Sequence, residues 1–427
     1  MKHIDVDPSK QNNNLALKNT IYSAIGSGLE YYDFVIYGMM AKYLSVIFFQ
    51  DQSSTIQLIQ TFSIFAIGYL VRPLGGFIIG LYADIYGRKK AFLFSTSVIA
   101  VATMTIGILP TYEQIGILST VILLICRVIQ GISFGAELPG ATIISLEHST
   151  GKFGKLCSII LSSTSIGSLF ALMILTLITN YFTSEQIITH GIWRIPFILG
   201  GTLGLLNYYF RKNISETPQF LAQNETNNLV QILNLLQNNY LTLLTRFCLI
   251  LPVSVMVISN IYFPTYLSHN YSYSMQDIYS ASTISMFSSI LWILLGGWLV
   301  DYIYKISLAN YILIFALIIT PLMIMLLNYQ TYFALILFLC LYQLILGLYF
   351  SSIMPVLSNL FEVKIRFCSV ALIYNLTFTL ASVVPIICSA YNNSGLVLLL
   401  CIICTILLAL FINVYITSPN KKTTMFN

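Results

Sequence analysis

Eight ionisable side chains stand inside long apolar stretches of this 427-residue sequence: Glu30, Asp33, Lys42, Arg72, Arg127, Glu137, Arg194 and Arg246. All but Arg246 fall in the first half. A charge in apolar surroundings is costly, so it is kept where it pairs with another charge or handles a proton. Burial disfavours the ionised form of a carboxylate and a nearby guanidinium favours it. A carboxylate that gains and loses an arginine partner therefore binds and releases a proton. Asp33 and Glu30 are the candidate proton carriers, with Arg127 and Arg72 as counter-charges; Glu137 is either a third carrier or a structural partner. Arg72 with Glu30 or Asp33 is the expected pairing, with Glu137 competing for it. Lys42, Arg194 and Arg246 fall near the ends of their stretches and are expected to snorkel toward water.

The elements that must hold these residues are membrane-spanning helices. Hydrophobic residues make up 57% of the chain and charged residues 8%, against about 25% charged in a soluble domain. Mean hydropathy is +0.83, and so few charges cannot clothe a soluble protein of this size. The net charge of +5 is spread over short loops and forms no nucleic-acid surface. Residues 1–18 are polar, with no short apolar run before a cleavage site, so no signal peptide is expected. Cys401 and Cys404 have the CxxC spacing but stand in the apolar run 396–411, and read as small helix residues rather than a metal or redox pair. With four histidines and no ligand set, neither a metal, a cofactor nor an enzyme is expected.

A helix that crosses hydrocarbon needs about 20 apolar residues. Windows of that length predict spans over 19–48, 56–83, 90–110, 116–146, 155–183, 193–211, 240–268, 276–301, 307–327, 331–360, 367–391 and 394–417. The expected fold is an all-α integral membrane protein with about twelve transmembrane helices in two six-helix halves, 19–211 and 240–417. A tail (1–18), a central loop (212–239) and a second tail (418–427) complete the chain. Lys and Arg gather at Lys2, Lys10 and Lys18, at 88–90, at Lys152 and Lys155, at 211–212, at Lys305, at Lys364 and Arg366, and at 421–422. Alternation puts all of these on one side, and the opposite loops 50–54, 111–114 and 269–277 hold none. The positive-inside rule makes that side, with both termini, cytoplasmic.

The halves echo each other. Gly80-Leu-Tyr-Ala-Asp84 closes the second span and Gly297-Trp-Leu-Val-Asp301 the eighth, 217 positions on. Glu147 precedes a basic pair after span four and Glu362 another after span ten, 215 positions on. Duplicated six-helix units are the build of carriers that rock two halves about a midplane site.

The loop Gly80-Leu-Tyr-Ala-Asp84-Ile-Tyr-Gly87-Arg88-Lys89-Lys90 resembles the signature of the major facilitator superfamily, and Arg127-Val-Ile-Gln130-Gly131 through Glu137 resembles its second motif. Glu30-Tyr31-Tyr32-Asp33 with Tyr37-Gly38, Arg72-Pro73-Leu74-Gly75-Gly76, Trp193-Arg194 with Pro196-Phe197, and Glu216-Thr217-Pro218 are similar to the metabolite/proton symporters within it, in the proline/betaine branch. Tyr31 stands where that family usually has Trp, and Asp301-Tyr-Ile-Tyr-Lys305 lacks the Gly-Arg pair. The short stretch after the last span points to uptake rather than osmosensing.

The resemblance implies a secondary active transporter in a bacterial inner (plasma) membrane, monomeric, taking up a small organic solute with protons by alternating access. Facilitative exchange and a non-transporting paralogue are the alternatives. It implies a conformational latch at Gly80, Asp84, Gly87, Arg88, Lys89, Glu147, Asp301 and Arg366. Asp84 would pair with basic residues or accept from a neighbouring helix N-terminus. Tyr37, Gln130, Gln343 and Asn375 are candidate solute contacts, alongside Asn260, Tyr262, Tyr349, Asn359 and Tyr374. Their rings would suit a quaternary ammonium head.

Overall fold

Runs of Leu, Ile, Val and Phe in hydrocarbon favour the α-helix, which satisfies its own backbone N–H and C=O groups. The computed structural model describes residues 8–49, 53–86, 88–135, 137–147, 153–212, 240–271, 273–303, 305–359, 363–390 and 394–417, and among them it is all-α with no strand. The first half comprises α1 (Pro8–Met39), α2 (Ala41–Phe48), α3 (Ser54–Leu70), α4 (Arg72–Tyr86), α5 (Arg88–Ile108), α6 (Tyr112–Ile115), α7 (Ile117–Phe134), α8 (Glu137–Glu147), α9 (Phe153–Tyr181), α10 (Ser184–Thr189) and α11 (Arg194–Lys212). The second half comprises α12 (Tyr240–Asn270), α13 (Met275–Tyr302), α14 (Lys305–Asn328), α15 (Tyr332–Asn359), α16 (Val363–Ala381), α17 (Val384–Ala390) and α18 (Ser394–Thr417).

Eight described helical runs are long and apolar enough to cross a bilayer, and two shorter ones, Leu93–Ile108 and Val397–Asn413, are apolar too. With α1/α2 and α11 they make the twelve traverses. Three traverses expected as single helices are each divided in two: α1/α2, α3/α4 and α16/α17. The first helix also begins at Pro8, inside the stretch read as a polar tail. Residues 9–25 hold no proline and no glycine, so nothing there breaks the helix. Residues 1–7, 213–239 and 418–427 lie outside the described residues.

The end opposite the basic loops is closed by short, capped turns. Ser53 accepts from the Ile56 N–H before α3, and Ser274 from the Asp277 N–H before α13. Thr183 and Gln186 form a reciprocal capping box at α10, satisfying N–H groups that a helix start leaves open.

Across the two halves α9 packs on α13, α4 on α16, α1 on α12 and α3 on α17. These seams bound the central cavity described below.

Candidate functional site

Asp33 is 2% exposed and sits on the side of α1 away from the cavity between the halves. Tyr31, two residues earlier, lines that cavity; two steps along a helix turn a side chain through most of a half-circle. The Thr103 side chain of α5 lies near the Asp33 carboxylate, both of them against Gly200. Thr103 Oγ1 accepts from Gln130 Nε2 at 2.8 Å, and Gln130 Oε1 accepts from Arg127 Nη1 at 3.0 Å. The link between Asp33 and Arg127 thus runs through two neutral side chains on α5 and α7. Asp33 Oδ1 has no hydrogen-bond partner among the described residues. It points at Gly200 of α11, where any Cβ would collide with it. Tyr32 locks the local register by donating to the Pro196 carbonyl at 2.7 Å.

The arginines stand on aromatic faces. The Arg127 guanidinium carbon is 4.4 Å from the Tyr37 ring centre and 5.7 Å from that of Phe65. Arg72 lies 3.8 Å from the Tyr69 ring centre and 4.3 Å from Phe134, and bonds the Tyr69 hydroxyl. These distances are within cation–π range. For Asp33, the structure therefore shows Thr103 as the neighbour where Arg72 was expected. The Glu30 side chain lies outside the described residues. Glu137 is buried at the start of α8.

Arg194 and Arg246 do not snorkel. Arg194 donates to the Gly107 and Leu109 carbonyls at 3.1 and 2.7 Å, at the C-terminal end of α5, and stacks on Trp193. A cation at that end of a helix complements its dipole. Arg246 is 2% exposed within α12.

Between the halves lies a cavity of about 30 Å³, whose polar lining is Tyr31, Thr164, Ser165, Ser168, Asn260 and Gln343. Gln343 Nε2 donates to Asn260 Oδ1 at 3.1 Å. Among the described residues the lining contains no charged side chain. Of the four candidate contacts, Gln343 lines this cavity. Gln130 belongs to the Asp33 relay, and Tyr37 stacks on Phe65 and donates to the Thr61 carbonyl. Asn375 of α16 donates to the Gly135 carbonyl at 2.6 Å and so ties the halves together.

The halves also meet at both ends. At the basic end, Asp301 accepts from the Gly154 N–H (Oδ1, 2.8 Å) and the Lys155 N–H (Oδ2, 3.1 Å), capping α9 from the other half. Gly154 and Gly297 touch there: a Cβ on either would strike the other's carbonyl oxygen. At the opposite end Tyr279 donates to the Met39 carbonyl at 2.8 Å, and Thr176 and Thr283 share a 3.0 Å bond. The latch side chains of Gly80, Asp84, Gly87, Arg88, Lys89, Glu147 and Arg366 lie outside the described residues.

Sequence reasoning missed Thr103 and the serine–threonine wall of α9. A faint signal existed for Thr103: Ser95, which donates to the Ser133 carbonyl of α7, stands eight residues before it, on the same face of α5. Thr103→Val keeps the shape and removes the relay. With a bond to a charged group worth about 1.5–3 kcal/mol, any proton-coupled transport that depends on Asp33 is expected to fall roughly tenfold or more, with Thr103→Ser restoring most of it. Labelled-solute uptake in vesicles measures both.

Two lobes of six traverses, closed around a small cavity and carrying most of their buried charge in one lobe, define a polytopic membrane protein of the carrier type. The chain belongs to the Major Facilitator Superfamily, whose sequence profile matches residues 24–384. A Staphylococcus aureus (strain MSSA476) protein provisionally named a proline/betaine transporter is 34% identical over 274 residues, 61% of this chain and 58% of that protein. The proline/betaine transporter of Escherichia coli (strain K12) is 32% identical over 267 residues, 59% of this chain and 53% of that protein. The matches thus span under two thirds of these relatives' length. The crystal structure of a D-xylose–proton symporter superimposes with a TM-score of 0.73 at 16% identity, over 95% of this chain and 98% of that one. A partially occluded, inward-open xylose transporter from E. coli gives 0.68 at 15%, over 94% and 97%. At these identities the likeness concerns the fold.

Proposed function

We propose that this chain is a secondary active transporter that couples proton influx to uptake of a small organic solute by alternating access. The observation that carries the proposal is the buried Asp33 beside Thr103, which accepts from Gln130, itself bonded by Arg127, behind the wall of the central cavity. Ionised, Asp33 accepts from Thr103 and ties α1 to α5 and α7. Protonated, it meets Thr103 as a neutral group, and neutral bonds are about half as strong as charge-assisted ones. Proton binding thereby loosens α1, whose Tyr31 faces the solute, and so couples the two cargoes without their touching.

The cavity's hydroxyls and amides carry no net charge, which suits a compact zwitterion such as proline or betaine better than a dicarboxylate. The names of the relatives support that class. At 30 Å³ the cavity takes about two waters, so the solute enters only when one end opens. The basic end, with both termini, faces the cytoplasm of the inner membrane by the charge rule. Asp301 holds that end shut on α9, and by the internal repeat Asp84 would serve α16 in the same way. Gly80, Gly87, Arg88, Lys89, Glu147 and Arg366 form the rest of the latch.

The test is uptake of labelled proline, betaine and 2-oxoglutarate into proteoliposomes, with and without an inward proton gradient. Proline or betaine should accumulate only with the gradient. Equilibration indifferent to the gradient would instead make the protein a facilitator, and absence of any uptake would make it a non-transporting relative.

A further inference from the structure

The peripheral helices of the two halves pack in different ways, and the difference leaves a large cavity in the second half. In the first half α5 and α11 lie against each other along their length. Glycines allow this: a Cβ on Gly201 would strike Met104, and one on Gly204 would strike Ala100. Their counterparts, α14 and α18, have no such residues. The α14 segment contains no glycine and α18 has one, Gly395 in its first turn. Held apart by Ile, Leu and Met, α14 and α18 touch over a short stretch. Between them, α12 and α15 is a cavity of about 470 Å³, the size of a small-molecule site.

We propose that this cavity is a binding site for one phospholipid acyl chain, entering from the bilayer leaflet opposite the basic end. The cavity extends along α12 from Asn270 to Met256, about 21 Å at the helical rise. That runs from the membrane surface to the midplane, the reach of one leaflet. Among the described residues its lining holds no charged side chain; Tyr266, Asn270 and Tyr271 stand at the outer mouth, and the deeper hydroxyls of Tyr342 and Thr320 donate to the Met256 and Ala316 carbonyls. Asn270 and the hydroxyls of Tyr266 and Tyr271 lie at headgroup depth, where such amphipathic side chains collect. Below them the walls are Phe263, Phe338, Met323 and Leu398, buried from solvent yet facing the space. The flanks of the mouth on α14 and α18, Leu322, Met325, Leu400 and Leu407, are exposed apolar side chains that meet the bilayer directly. An apolar void of this size left empty would forfeit the packing of its whole lining; the chain of a neighbouring lipid restores it. This inference rests on membrane embedding alone and not on what the protein carries.

The experiment is photo-crosslinking of the full-length protein in phosphatidylethanolamine–phosphatidylglycerol vesicles, doped with a phospholipid that carries a diazirine along one acyl chain. Adducts are mapped by mass spectrometry. The expected result is labelling of the buried wall residues Phe338, Met323 and Leu398 in addition to the exposed flank. Ala316→Phe, which fills the cavity from α14, should remove the buried adducts and leave those at Leu322 and Leu407. Should that variant fail to assemble, Thr320→Leu narrows the same space and serves in its place. Adducts confined to the exposed flank, or buried adducts indifferent to the filling substitutions, would overturn the proposal.

Discussion

Asp33→Asn is expected to abolish uphill accumulation while leaving exchange across the membrane intact. The substitution keeps the side chain's shape and its carbonyl acceptor for Thr103, so the helices that surround Gly200 and Thr103 remain in register. It removes the one property the proposed coupling needs, exchange of a proton. Moving one charge through 100 mV releases about 2.3 kcal/mol, which sustains about 50-fold accumulation for one proton per solute. The variant should fall to onefold, inside equal to outside. Counterflow, in which labelled solute outside exchanges for unlabelled solute trapped within, should proceed at a rate near wild type. Accumulation that survives at full strength would remove Asp33 from the coupling and leave it a packing residue.

The second large effect is expected at the basic end. Gly154→Val puts a branched side chain where the Gly297 carbonyl and the Asp301 carboxylate already lie. The α9 N-terminus can then neither approach α13 nor receive the Asp301 cap, so that end no longer closes. Overpacking of this kind costs about 1–3 kcal/mol, and it falls wholly on the closed form, shifting the balance roughly 5- to 150-fold toward the open one. Uptake and counterflow should both fail, unlike the Asp33→Asn pattern. Ser158→Ala, at the same crossing but without added bulk, should behave as wild type. Normal elution of Gly154→Val in detergent would separate a gating defect from misfolding. Wild-type transport by that variant would show that the α9–α13 seam need not close.

The twelve traverses were legible because hydrocarbon leaves a chain few options, and length, hydropathy and basic loops all report the same constraint. Asp33 and Arg127 stood out because a charge amid Ile and Phe has few innocent explanations. Their connection was not legible. Thr103 is one hydroxyl among many in apolar helices, where most simply bond their own backbone, as Thr105 does to Val101. Asn375 illustrates the same limit: an amide in a span reads as a solute contact, and which face it presents depends on how the halves meet. Its partner, the Gly135 carbonyl, is 240 residues away in the chain. Asp301 shows the intermediate case, since its place at a span's end suggested a latch. That its partner is the start of α9 follows from the crossing of Gly154 and Gly297, which no local pattern records. Breaks such as that between α16 and α17 were invisible, because the windows that find a span average over them.

The most direct test follows protons. Vesicles holding wild-type protein and a trapped pH-sensitive dye, with equal pH on both sides, receive external proline or betaine down its own gradient. The expected result is internal acidification that tracks solute influx and is absent for Asp33→Asn. Solute influx by the wild type with no change in internal pH would contradict coupling altogether, and acidification that persists in Asp33→Asn would place the proton on another residue.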